Sequence, residues 1–163
     1  MKRLLATLGV VLVAAVAGAV ASAPAASAHE VCSGTRIDTY NVRTSGAGTG
    51  GTHYATIRLY YSSANGGTNC ASLEKVRWHD GTTRNDMYLE IGLCDYSGCP
   101  RPSVLVSNHS PNGYLYYAGP VSMRSAAKRC VYLSAHMYSS RDHSGTRASR
   151  TVRGVHGPGC PDD

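Results

Sequence analysis

No phenylalanine occurs in the chain, and Trp78 is its only tryptophan. A core assembled with so few large rings must rest on Leu, Ile, Val, Met and tyrosine, and a buried tyrosine hydroxyl needs a partner. Glutamate is nearly as scarce: Glu30, Glu74 and Glu90 are the whole set. Glu74 and Glu90 alternate with apolar neighbours, so they read as solvent-face carboxylates rather than the acid pair of a glycosidase. No Cys-x-x-Cys pair exists, which removes the spacing of a structural zinc site. The Gly-x-Ser-x-Gly elbow of a hydrolase is missing too. His79-Asp80 stands directly before Gly81 and reads as turn material. Asp142-His143-Ser144 lies near the C-terminal end, and triads are assembled by folds rather than by adjacency. Neither a helical apolar stripe nor an internal repeat is present.

What is there begins with an export signal. Met1-Lys2-Arg3, an uncharged run from Leu4 to Val20 and the small residues Ala26-Ser27-Ala28 form the three parts of a secretory signal peptide. The apolar run approaches spanning length, but an Ala/Ser/Pro segment follows it where a membrane anchor would have basic residues. Residues 1–28 are therefore read as a cleaved signal peptide, leaving a mature chain with no membrane attachment that starts at His29. A free amino-terminal histidine can chelate copper, yet a copper brace needs a second imidazole that no spacing identifies. His29 is expected to be a processing outcome, and no catalytic residue, cofactor or metal ligand is expected.

Without Lys2 and Arg3, 14 basic residues face 10 acidic ones, a net charge of +4. Seven of the basic residues fall between Arg124 and Arg153, against the single acid Asp142. No aromatic pattern interleaves these arginines, so the stretch reads as a solvated face and nucleic acid is disfavoured as a partner.

The apolar period is two. Ala55, Ile57, Leu59 and Tyr61 alternate with polar or amphipathic neighbours, as do Met87, Leu89, Ile91 and Leu93, and again Val131, Leu133, Ala135 and Met137. Each set predicts a half-buried strand. Weaker strands are expected over 37–42, 71–78, 104–107 and 114–123. Asn65-Gly66-Gly67, His79-Asp80-Gly81 and Ser110-Pro111-Asn112-Gly113 separate them with turn chemistry. About seven short strands with regular breaks predict an all-β domain, a small disulfide-stapled sandwich or barrel, over residues 29–138. Residues 139–163 lack periodicity and are expected to form a basic, loosely ordered tail tied down by Cys160.

All six cysteines lie after the cleavage site, and an even number in an exported chain reads as three disulfides. Cys94 and Cys99 are close enough in sequence to clip a hairpin. Cys70 and Cys130 both open strands in equivalent positions, which pairs them and leaves Cys32 for Cys160.

Two longer patterns, "IRLYYSSANGGTNCA" at 57–71 and "NGYLYYAGPVSMRSAAKRCVYL" at 112–133, place Asn69-Cys70, Tyr117-Ala118-Gly119-Pro120-Val121 and Arg129-Cys130-Val131 in order. In this the chain resembles small exported actinobacterial proteins of the spore-associated protein A kind, in outline over residues 54–133. The resemblance implies a secreted protein of the cell or spore surface, with no catalytic residues to carry over. The expected partner is a cell-wall or spore-coat polymer or protein. Alternation puts Arg58 and Tyr60 on one strand face, Tyr132 on another, and Tyr114 with Tyr116 on a third. These five are the candidate surface-binding residues, because tyrosine and arginine give contact area and directed donors. The rival readings are a small secreted enzyme, copper-dependent through His29 or of nuclease type, and an inhibitor or toxin presenting the loop 94–100.

Overall fold

The computed structural model describes residues 32–95, 99, 102, 104–157 and 160. Residues 1–28, expected to be a signal peptide, and His29 lie outside these residues. Eight strands are formed: β1 (Thr35–Arg43), β2 (His53–Ser62), β3 (Thr68–Lys75), β4 (Met87–Cys94), β5 (Val104–His109), β6 (Tyr117–Arg124), β7 (Cys130–Tyr138) and β8 (Arg147–Val155). They make one sheet in the order β5-β4-β7-β8-β1-β2-β3-β6. Every neighbouring pair is antiparallel, the β8–β1 join being the narrowest, through Arg43 opposite Ser149. The sheet curls until its ends nearly meet. The Asn108 side chain on β5 accepts a hydrogen bond from Gly119 N on β6, 3.2 Å away. The fold is thus all-β, a nearly closed barrel-like sheet.

Period two explains the interior. Ile57, Leu59, Leu73, Met87, Leu89, Ile91, Leu133 and Met137 are fully buried, and they come from the inward positions of β2, β3, β4 and β7. Burying one such side chain is worth about 1.5–3 kcal/mol, so leucine, isoleucine and methionine suffice where phenylalanine is missing. Tyr40 and Tyr54 complete the core. Tyr40 finds its hydroxyl partner in His156 Nε2 at 2.8 Å, and Tyr54 meets Trp78 in a T-shaped pair with ring centres 4.9 Å apart.

The expected loose tail at 139–163 is corrected: it supplies β8, paired along β7 from Tyr138–Arg147 to Val131–Val155. Its inward side chains are Ala148, Arg150 and Val152. Arg150 breaks the apolar alternation, which hid the strand. Its guanidinium sits 5.9 Å from the Tyr40 ring centre, so a cation occupies an inward position beside an aromatic face.

Disulfides join Cys32 to Cys70, Cys94 to Cys99 and Cys130 to Cys160, with Cα separations of 5.6, 6.0 and 5.8 Å. The hairpin clip is as expected, but the Cys70–Cys130 and Cys32–Cys160 pairings are not formed. Sheet order is the reason: β8, β1 and β2 stand between β7, where Cys130 opens the strand, and β3, which holds Cys70. Cys32 instead leads into β1, whose first residue lies opposite Tyr61, beside the Tyr60–Cys70 pair. Cys160 follows β8 back to the start of β7. Among the described residues no helix is long and apolar enough to cross a membrane.

Candidate functional site

Asp86 stands just before β4, two residues ahead of Tyr88 and on the same outward side of the strand. Its neighbour Asn85 is fully buried and ties three segments together. Its amide nitrogen donates to Tyr138 O and Ser139 O at 3.1 and 3.0 Å, and its backbone pairs with Tyr114. Those bonds press the β7–β8 loop down over Asp86. The Asp86 carboxylate is buried at 2% exposure. A carboxylate taken out of water demands compensating charge or donors.

Three histidines gather around it. His109, the last residue of β5, places Nε2 2.7 Å from Asp86 Oδ1. His143, on the β7–β8 loop with a left-handed φ of 64°, places Nε2 3.0 Å from Oδ2. His136 on β7 stands at 3.8 Å from the same oxygen. Register creates this gathering, because Tyr88 lies opposite His109 on one side and His136 on the other. Burial, and then Arg147 beside it, lowers the pKa of His136 below the ordinary histidine value.

Rings organise the surface above. Tyr88 stacks on His136 (centres 5.0 Å, 11° between planes) and Tyr138 stacks on His143 (4.6 Å, 15°). The Arg147 guanidinium lies 6.0 Å from the Tyr138 ring centre. Tyr88 donates to Glu90 Oε2 at 2.6 Å, and burial followed by that bond pushes its pKa up to about 12.

The candidate surface-binding residues do not form one patch. Arg58 is ion-paired with Glu74 on β3. Tyr60 is half-buried on β2, with β8 and β1 between that strand and the β7 position of Tyr132. Tyr114 turns inward, packs against the core and donates its hydroxyl to Asn108. Tyr116 is exposed and meets His79 edge-on at 5.0 Å. Tyr132 packs against the Cys94, Cys99 and Cys130 cluster, on the same side of β7 as His136 and Tyr138. Strand alternation assigned the sides of β2 and β7 correctly but could not say which strands adjoin.

Other sequence readings resolve simply. Asp80 accepts bonds from Thr82 N and Thr83 N, both at 2.8 Å, and is turn material; these bonds hold its carboxyl well below the usual range. Ser144 Oγ donates to Asp142 Oδ1 at 2.7 Å while His143 faces Asp86, so these three residues make no triad. Glu74 and Glu90 are outward carboxylates with partners, as expected. Of the loop 94–100, Tyr96, Ser97, Gly98 and Pro100 lie outside the described residues. A groove of about 280 Å³ runs beside the Cys32–Cys70 bridge, lined among others by Asn65, Thr68, Pro120, Ser122 and Arg124. The Asp86 cluster itself went unseen in the sequence, since positions 86, 109, 136 and 143 share no local spacing. Its one signal was the polar pair Asn85-Asp86 placed directly before an apolar alternation.

No family model, no curated protein and no solved structure matches the chain.

Proposed function

We propose that the mature chain is an exported, non-catalytic protein that binds a polymer or protein of the cell or spore surface. The observation that carries this reading is the outer face of β4, β7 and β8, where two stacked tyrosine–histidine pairs stand beside Arg147. Flat rings held in place by their neighbours give contact area at little entropic cost, and a guanidinium adds directed donors for anionic or hydroxyl-rich partners. Tyr132 and Arg153 extend the same face, being register partners on β7 and β8. Of the residues expected from the sequence, Tyr132 belongs to this face, and Tyr88, Tyr138 and Arg147 replace the others. Three disulfides support an oxidising, extracellular setting, in keeping with the export signal.

Adding purified mature protein to washed cells and spores tests the reading. The protein is expected to sediment with them and to be released by salt or detergent. Tyr138→Ala combined with Arg147→Ala is expected to lower the bound fraction several-fold while thermal unfolding stays unchanged. Recovery of all the protein in the supernatant, for cells and spores alike, would overturn the proposal.

A further inference from the structure

We infer that Asp86, His109 and His143 form a binding site for a divalent transition-metal ion, with Zn²⁺ the best match. The inference stands independently of surface binding, since it concerns the chain in solution. Donor atoms from the three residues lie within 4.8 Å of one another. Asp86 is buried, and its Oδ2 has no hydrogen-bond partner although His143 Nε2 lies 3.0 Å away. A buried carboxylate oxygen left without a donor keeps its desolvation penalty, and a bound cation removes it. The site therefore asks for positive charge at a particular atom.

Ligand chemistry narrows the cation. Two imidazoles and one carboxylate suit zinc and its transition-metal neighbours, whereas calcium and magnesium favour oxygen ligands throughout. Zinc ligands at about 2.0–2.2 Å from the ion place tetrahedral donor pairs roughly 3.3 Å apart. The contacts of His109 and His143 with Asp86, at 2.7 and 3.0 Å, must therefore open slightly to admit the ion. Their side chains are 43% and 54% exposed, so each imidazole has room to rotate about its χ angles. Asp86 is the fixed member, with its backbone carbonyl accepting from Tyr138 N at 3.0 Å. Tyr138, stacked on His143, keeps that ring over the carboxylate. Exposure on the outer side leaves a coordination position open to water. His136, 3.8 Å from Oδ2, flanks the site.

Calorimetry of chelator-treated mature protein with ZnCl₂ tests the assignment. One ion per chain is expected, with a dissociation constant below about 10 μM. His109→Ala and His143→Ala are each expected to weaken binding at least about tenfold. His79→Ala, at a separate exposed site, should leave it unchanged. Because Asp86→Asn alters a buried group, the two exposed histidines carry the test, and circular dichroism of each variant verifies the fold. Cobalt(II) gives a second readout, a visible absorption band that disappears in both histidine variants. No binding in this range, or one-to-one binding that survives the paired His109→Ala and His143→Ala substitutions, would overturn the inference.

Discussion

Lys75 is buried on β3, with Nζ donating to Thr83 O at 2.8 Å. Burial lowers its pKa from 10.5 to about 8, against a smaller opposing effect of Asp80. The consequence for stability has a definite sign. Between about pH 8 and 10.5 the unfolded chain holds a proton that the folded chain has released, so stability rises with pH across that window. At pH 7 the folded state still carries the charge and bears the full cost of burying it. The unfolding midpoint of wild type relative to Lys75→Met is therefore expected to stay level below pH 7. It should then move in favour of wild type, by roughly a few degrees, from pH 8 to 10. Melting curves of both proteins across that range are the check, and a level difference would show that the ammonium is solvated.

At the scale of elements, β8 decides whether the sheet can close. It lies between β7 and β1, and without it no strand pairing would join the two parts of the sheet. Val152 points into the core at 3% exposure, while Thr151 beside it is exposed. Val152→Asp places an unpaired charge in the interior and is expected to cost about 3–5 kcal/mol. Thr151→Asp should stay within about 0.5 kcal/mol of wild type, as outward surface changes do. Urea unfolding of the two variants separates a strand from a loose tail, for which both changes would be equally mild.

Across the whole molecule, the disulfides tie the chain ends to opposite parts of the sheet. Cys32–Cys70 holds the start of the domain to β3, and Cys130–Cys160 holds its end to β7. Peptide mapping under non-reducing conditions is expected to recover these two links and Cys94–Cys99. The Cys130–Cys160 link spans 30 residues, and replacing both cysteines by serine should cost about 3–4 kcal/mol through freedom regained by the unfolded chain. Recovery of a Cys70–Cys130 peptide would mean that β3 and β7 adjoin, against the sheet order described here.

Inward and outward sides were legible in the sequence, because side chains alternate along any strand wherever it ends up. Ile57, Leu59, Leu89, Ile91, Leu133 and Met137 were placed inside on that ground alone, and all are buried. The all-β class, the turn at Asp80 and the existence of a disulfide framework came from equally local chemistry. Adjacency is a different kind of quantity. It depends on the path of the entire chain, so the three strands standing between β7 and β3 were not legible, and the cysteine partners could not be named. An inward arginine at position 150 concealed β8, because its stability comes from neighbours on both sides rather than from its own apolar content. The Asp86 cluster is the extreme case. Only the register that sets Tyr88 between His109 and His136, with the His143 loop folded over them, brings three distant histidines around one buried carboxylate.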